Sequence, residues 1–415
     1  MALLSERFSD DGKAELELSD IQIKYIDIFR KKCESGEYRF RKCKCECGSS
    51  DLEVIAKKDR YGIPMDTVIC RECGLITTNP RLDDDSNNKF YDNEYPFIYR
   101  EEETPSEKVF LVRKKSAESI IKYIRKHTGI ESGSVLEIGC ADGRNVEAFA
   151  EFGYDACGID LSHSYVEFGK NRGLNLTCCD AETFEKDGHK FDIIVLNHVI
   201  EHFTDIIREL EIIGRMLKPD GCLFISVPGV KAMALGTYDS DFLKLLQNAH
   251  IYNFTKDTLC SVMEGCGYSC IHANEFIYSL FKKSEVKERV QNAYEDTMKF
   301  LKRLEDAQGN LTVLLIGRVI DKISSYKDGE VLLYGVAGEL DAVVRNMEDV
   351  SPIKGFFYSD SKSPKAVIDY IRSSNNTVKC MILIDVKQND TLTDVFSNLI
   401  ENNEIELFSA YNEQF

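Results

Sequence analysis

Five short apolar runs, at 134–138, 155–159, 174–178, 191–196 and 222–227, alternate with stretches of helical period at 145–151, 165–172 and 205–217. Strands apolar at nearly every position must be buried on both faces. The alternation therefore predicts a mostly parallel sheet with crossover helices on either side. Open sheets of this kind bind ligands just beyond the carboxyl ends of their strands. The residues at those ends are the first candidates for chemistry.

The first strand runs into Val135-Leu136-Glu137-Ile138-Gly139-Cys140-Ala141-Asp142-Gly143. Its apolar residues flank an acid, and small residues then carry the chain toward a helix. Glycine lets the backbone turn tightly and approach a ligand closely. Two readings compete. A dinucleotide site would want G-x-G-x-x-G, with pyrophosphate on the helix N-terminus. This chain has Ala141 between Gly139 and Gly143, and places Glu137 and Asp142 beside the turn. Acids there repel pyrophosphate and suit the ammonium of a methionine-derived cofactor. The second strand ends at Asp160, followed by Leu161, where an acid can accept hydrogen bonds from both ribose hydroxyls. The third ends in Cys179-Asp180-Ala181-Glu182, with Asp180 placed to accept from an adenine amino group. Asn197 and His198 follow the fourth.

Four blocks occur in order: VLEIGCADG at 135–143, GIDLS at 158–162, FDIIVLNHVIEH at 191–202 and LKPDGCLFISVPG at 217–229. On these blocks the run from roughly 130 to 275 resembles the class I S-adenosylmethionine-dependent methyltransferases. The resemblance implies an α/β fold with a Rossmann-like seven-stranded sheet whose last strand is antiparallel. It implies S-adenosylmethionine as cofactor, with Glu137, Gly139, Ala141 and Gly143 about its methionine part. Asp160 and Leu161 would lie at the ribose, Asp180 and Ala181 at the adenine, and Asn197 and His198 along the cleft. Ala141 departs from the more usual glycine.

Fifteen cysteines are spread over the chain, and five of them fall within 43–73. Cys70-Arg71-Glu72-Cys73-Gly74 is a metal knuckle: two thiolates three apart grip one tetrahedral ion, and the glycine folds the backbone beneath it. Its mate, Cys43-Lys44-Cys45-Glu46-Cys47-Gly48, is less regular, because Lys44 stands where the partner of Cys47 is expected. Cys43 and Cys45 remain alternatives, with Cys45 favoured, so the predicted Zn2+ ligands are Cys45, Cys47, Cys70 and Cys73. Four thiolates close the coordination shell, which makes the ion structural. Cys178, Cys179 and Cys222 read as small hydrophobes in apolar runs.

The second knuckle, with residues 75–81 and Phe90-Tyr91 after it, resembles a methyltransferase group of sugar modification that includes sugar C-methyltransferases and surface-polysaccharide enzymes. That group combines an N-terminal zinc ribbon, the methyltransferase sheet and a smaller C-terminal α/β domain. The implied division is 1–104 with the ribbon at about 43–80, 105–281 for the cofactor-binding domain, and 282–415 for a linker helix and a Rossmann-like domain.

Local signals fill in this outline. Ile21, Ile23, Ile26, Ile28 and Phe29 could line a helix or an edge strand. Pro105 suits the first turn of a helix that Gly129 stops. The charged stretch 282–306 reads as a connecting helix. Runs at 331–334, 353–358 and 380–385 lead into Gly335 and Gly338, Asp360, and Asp385. The Gly335–Gly338 turn lacks a full dinucleotide fingerprint, so the C-terminal domain is expected to serve acceptor binding or dimer contact.

The 415 residues need two to three cores. A formal net charge of −18 excludes a chain that wraps nucleic acid, whose phosphates need a basic face. No apolar run approaches the ~20 residues of a membrane span, and the N-terminus lacks a signal-peptide core. The sequence predicts a cytoplasmic protein without a membrane partner.

Transfer of a methyl group to a hydroxyl or an enolizable carbon needs a base. Glu201, His202 and His250 are the candidates near the strand ends. His127, His163, His189 and His272 read as surface or loop residues. Tyr91, Tyr95, Phe97 and Tyr99 could form a lid or an acceptor wall, since sugar rings stack on aromatic faces. The expected acceptor is a small, sugar-like molecule, and O-, N- and C-methylation and the oligomeric state are left open. Two other classes compete. One is a non-catalytic protein joining a zinc ribbon to a silent Rossmann-like core. The other is a nicotinamide oxidoreductase, disfavoured by Glu137 and the missing second glycine.

Overall fold

The computed structural model describes residues 3–100, 106–285, 292–307, 310–335, 337–359, 364–373, 377–384 and 405–409. They group into two compact units, one of residues 1–231 with 242–302, the other of 232–241 with 303–415.

In the first unit, α1 (Asp20–Glu34) opens with a capping box. The Ser19 hydroxyl accepts from the backbone of Gln22, and the Gln22 side chain accepts from the backbone of Ser19. Ile26 and Phe29 are buried, whereas Ile21 and Ile23 are half exposed. The N-terminal apolar run is thus a helix that buries one stripe. The antiparallel strands β1 (Leu52–Lys58), β2 (Pro64–Cys70) and β3 (Ile76–Thr78) follow. A two-residue strand, Tyr252–Asn253, closes this sheet on β3. That pairing draws the chain just after His250 against the N-terminal sheet. Asp83 caps α2 (Asp84–Asn93).

Ser106 caps α3 (Glu107–Thr128), and Gly129 ends it in the left-handed region at φ 72°. Pro105 lies outside the described residues. The central sheet then builds from β4 (Ser134–Ile138), β5 (Asp155–Asp160), β6 (Leu176–Cys178), β7 (Phe191–Asn197), β8 (Leu217–Ser226), β9 (Tyr268–Ala273) and β10 (Tyr278–Lys283). Their order is β9-β10-β8-β7-β4-β5-β6, with β10 antiparallel to both neighbours and the other pairings parallel. The crossovers include α4 (Arg144–Glu151), α5 (His163–Asn171), α6 (Ala181–Glu185) and α7 (Ile206–Met216). Capped by Thr255, α8 (Lys256–Gly265) precedes β9.

Alternate residues of the central strands feed opposite cores. Leu136, Ile194, Leu196, Leu223 and Ile225 pack on one face. Val135, Ile193, Val195, Cys222 and Phe224 pack on the other. This is why the strands read as unbroken apolar runs.

Three sequence expectations change. Cys222 is buried as expected, but Cys178 is exposed at the end of the edge strand β6. Lys282 and Lys283 finish β10, residues 286–291 lie outside the described residues, and only α9 (Tyr294–Ala307) of the charged stretch is helical there. His127 and His272, read as surface or loop residues, are partly exposed but lie in regular elements, one in the last turn of α3 and the other in β9, and their rings stack at 3.8 Å.

The second unit contains α10 (Leu311–Ser324), β11 (Val331–Gly335), α11 (Ala337–Arg345), β12 (Ile353–Tyr358), α12 (Pro364–Ser373), β13 (Cys380–Ile384) and β14 (Glu406–Ser409). Its strands are all parallel, in the order β12-β11-β13-β14. A Cβ on Gly335 would stand 2.1 Å from the Ile384 carbonyl oxygen, so close packing of strand ends requires glycine there. Gly338 lies inside α11, while Asp360 and Asp385 fall outside the described residues. Among the described residues no helix is long and apolar enough to cross a membrane.

Candidate functional site

The strand ends β4, β5 and β7 bring the first group of predicted residues together. Gly139 and Cys140 both donate their backbone N–H to the Ile159 carbonyl, at 2.8 and 3.0 Å. Gly139 and Gly143 have φ of 71° and 80°. A Cβ on Gly139 would lie 2.5 Å from Val199 Cγ2, and one on Gly143 would meet the Leu174 and Leu176 side chains. Ala141 lies between them at φ 47°, where a side chain is strained. Asp160 fastens this turn. Its Oδ2 accepts from Ala141 N at 2.8 Å and its Oδ1 from Ser162 N at 2.7 Å. Each oxygen keeps a lone pair for a further donor.

Glu137 is buried, and its Oε1 accepts from Asn145 Nδ2 at 2.6 Å. Its Oε2 is buried with no hydrogen-bond partner. Burial pushes its carboxyl up to about 8. A ligand carrying N–H donors would satisfy that oxygen. Asp142 is buried and held by Arg144 through Nε and Nη2, each at 2.7 Å. Leu161 is 74% exposed, a large apolar side chain standing beside Asp160. Asp180 caps α6, its Oδ1 accepting from Thr183 N at 2.7 Å, and this hydrogen bonding holds its carboxyl below the usual range. Ala181 is buried behind it. Asn197 ends β7, and His198 follows at φ 58° with its N–H on the Ser226 carbonyl.

Glu201, His202 and His250 come together from two distant stretches, with one polar atom of each within 4.8 Å of the others. The Ile251 N–H donates to the Glu201 carbonyl at 2.8 Å, which ties the stretches together. Glu201 is 1% exposed, and neither carboxylate oxygen has a hydrogen-bond partner among the described residues. His198 Nδ1 and His250 Nε2 approach its Oε1 at 3.4 and 4.0 Å. His202 Nδ1 lies 2.8 Å from the Ala249 carbonyl oxygen and 2.8 Å from Tyr91 Oη. A carbonyl only accepts, so the His202 proton sits on Nδ1 and Nε2 is the basic nitrogen. His250 is buried, and desolvation lowers its pKa well below that of an ordinary histidine.

The aromatic stretch stands against this group. Tyr91 and Tyr95 stack at 4.6 Å, and both stand nearly perpendicular to the His202 ring. Phe97 stacks instead on Tyr25 at 3.9 Å. The contacts of His202 with Tyr91 and with the Ala249 carbonyl had no sequence signal, because loop-to-loop hydrogen bonds leave no periodic pattern.

The cysteine cluster is separate. The Sγ atoms of Cys45, Cys47, Cys70 and Cys73 all lie within 4.8 Å of one another, with Cys45–Cys73 at 3.4 Å and Cys47–Cys70 at 3.6 Å. Tetrahedral zinc with Zn–S bonds of ~2.3 Å needs sulfurs ~3.8 Å apart, so the donor set fits that ion. Each knuckle closes with its glycine N–H on the first cysteine's carbonyl, Gly48 on Cys45 three residues back and Gly74 on Cys70 four back, both glycines having positive φ. Cys43 is outside the group of four, its backbone paired with the Asn79 side chain.

Residues 112–273 match a family described as a methyltransferase domain. A ubiquinone biosynthesis O-methyltransferase of Coxiella burnetii (strain RSA 493 / Nine Mile phase I) is 34% identical over 112 residues, covering 26% of this chain and 48% of that protein. One from Bartonella tribocorum is 25% identical over 155 residues, covering 32% and 62%. The chain spans about half the length of the curated relatives it matches. Among solved structures, a Burkholderia thailandensis 1,6-didemethyltoxoflavin-N1-methyltransferase with bound S-adenosylhomocysteine aligns at a TM-score of 0.37 and 16% identity, over 51% of this chain and 96% of that one.

Proposed function

The chain carries a class I methyltransferase domain, and from that premise we propose that it transfers a methyl group from S-adenosylmethionine to a small, sugar-like acceptor. The observation that carries this reading is the pair of strand-end groups. The unsatisfied Glu137 oxygen and the Asp160 carboxylate suit the ammonium and ribose of the cofactor. The buried Glu201 grouped with His202 and His250, and approached by His198 Nδ1 at 3.4 Å, suits proton removal from an acceptor. The cofactor supplies an electrophilic methyl on a sulfonium. His202 takes the acceptor's proton on Nε2, Glu201 stabilises the imidazolium so formed, and Tyr91 and Tyr95 offer aromatic faces to a sugar ring. The ubiquinone-pathway names of the relatives make a phenolic acceptor the second reading. Zn2+ held by Cys45, Cys47, Cys70 and Cys73 is structural in this proposal, since four thiolates leave no position for substrate.

Calorimetry tests the cofactor half. S-adenosylmethionine should bind, and Asp160→Ala should weaken it by roughly 1.5–3 kcal/mol, the scale for hydrogen bonds involving a charged group. Binding of NAD with no response to S-adenosylmethionine would sink the proposal. A labelled-methyl screen across sugar nucleotides and phenols then decides the acceptor.

A further inference from the structure

The loop carrying His250 is fastened to the turn between β1 and β2. Asp59 is fully buried there; its Oδ1 accepts from Tyr61 N and Ile63 N at 2.9 Å each, and its Oδ2 from Asn248 N at 3.1 Å. Arg60 donates its backbone N–H to the Leu246 carbonyl at 3.0 Å and Nη1 to the Lys244 carbonyl at 3.2 Å. Its Nη2 donates to Gln247 Oε1 at 2.7 Å.

A guanidinium has donors only, so the Gln247 atom facing Arg60 is the amide oxygen. The other end of that amide, its NH2, therefore faces His250 Nε2, with which it is in hydrogen-bond contact. An NH2 can only donate, so Nε2 must accept, and the single imidazole proton resides on Nδ1. The same Nε2 lies 4.0 Å from Glu201 Oε1. A proton on Nε2 would be drawn to that carboxylate, and the Gln247 amide holds the place it would occupy.

We propose that Arg60 and Gln247 are positioning residues of the acceptor-side group: they hold His250 as its neutral Nδ1–H tautomer and so reserve Glu201 for the proton that arrives on His202. This deepens the assignment of Glu201, His202 and His250 to the acceptor side and rests on it. The division of labour follows from donor and acceptor inventory alone. Exposed His198 also brings Nδ1 to 3.4 Å from Glu201 Oε1; of the two histidines grouped with Glu201 on the buried side, His202 has its proton fixed away on Nδ1 by a carbonyl, leaving Nε2 basic. His250 has its Nε2 lone pair engaged by an amide. One histidine is thus set to gain a proton, the other to stay neutral beside it. The device spans a long stretch of sequence, from the N-terminal sheet to the loop before α8.

The test is 15N NMR of the full chain with labelled histidine, the His250 signals being assigned by difference against His250→Phe. In the wild type Nε2 should appear as an unprotonated acceptor and Nδ1 as protonated. Gln247→Glu puts a carboxylate oxygen against Nε2 and should move the proton there. Arg60→Ala lets the amide turn and should give a mixture of tautomers, which Arg60→Lys, still a donor to Oε1, should reverse. A wild-type Nε2–H, or an unchanged tautomer in Gln247→Glu, overturns the proposal even if Arg60→Ala fails to fold. No acceptor is needed for this readout, so its failure is distinct from failure to detect methyl transfer.

Discussion

Burial raises the Glu137 carboxyl from 4.5 to about 8, so between those values the folded chain holds a proton that the unfolded chain releases. Stability on this account falls as pH rises from about 4.5 through about 8. Glu137→Gln removes the titration and should gain roughly 1–3 kcal/mol over wild type above pH 8, the scale of an unsatisfied buried polar group, while weakening S-adenosylmethionine binding. Thermal melts at pH 6 and pH 9 check the first part, and equal pH slopes in both proteins would refute it. A second expectation separates the two histidines. His202→Ala should lower turnover by roughly 10²–10⁴-fold, the range for loss of a general base, with cofactor affinity nearly intact. Near-wild-type turnover would remove His202 as the base, and the same substitution at His250 then becomes the comparison. At this scale the glycine turn and the strand-end acids were legible, because they occur in short local blocks, and the structure brings Gly139, Ala141 and Asp160 together. Ala141 stands where glycine is more usual, and its φ of 47° explains why glycine is the easier residue there. The sequence could not show that Asp142 is claimed by Arg144, or that His127 and His272 stack. Those are tertiary contacts between side chains with no fixed spacing.

At the scale of elements, two knuckles, each closed by a glycine of positive φ, stand before β1 and after β2. Removing a thiolate should loosen β2 and β3 together, since metal binding and folding are linked in such small units. Cys73→Ser is expected to lose bound zinc and to expose the region before β3 to proteases. Elemental analysis of chelator-free wild type should find about one zinc per chain, and none would end the metal assignment. The central strands were legible because both faces are buried, so each reads as an unbroken apolar run. β6 was overextended in the sequence reading: Leu174 and Asn175 precede the strand that Leu176 begins. The two-residue strand Tyr252–Asn253 left no signal, since so short a stretch has no period. Yet it pairs with β3 just after His250, and the gathering of His250 with Glu201 was invisible as an arrangement although each residue had been named.

At the scale of the whole molecule, residues 232–241 group with 303–415, and residues on either side of them group with the central sheet. Ala232 and Met233 are buried. A chain ending at residue 302 should therefore be cut by a protease within 232–241 more readily than the full chain. Equal cleavage rates would show that this segment does not depend on the C-terminal residues. Three of the four strands of the second unit's sheet were legible as apolar runs, and Glu406–Ser409 was not read. The unit's claim on ten residues from the middle of the chain was not legible either, because membership of a core is decided by packing and not by order along the sequence. The same membership limits how such a protein can be recombined. Two finished modules joined end to end would leave the second without a part of itself. An exchange of C-terminal halves between related chains would have to carry 232–241 along as a separate insert, so inheritance of the two units is coupled even though most of each lies on its own side of a single cut.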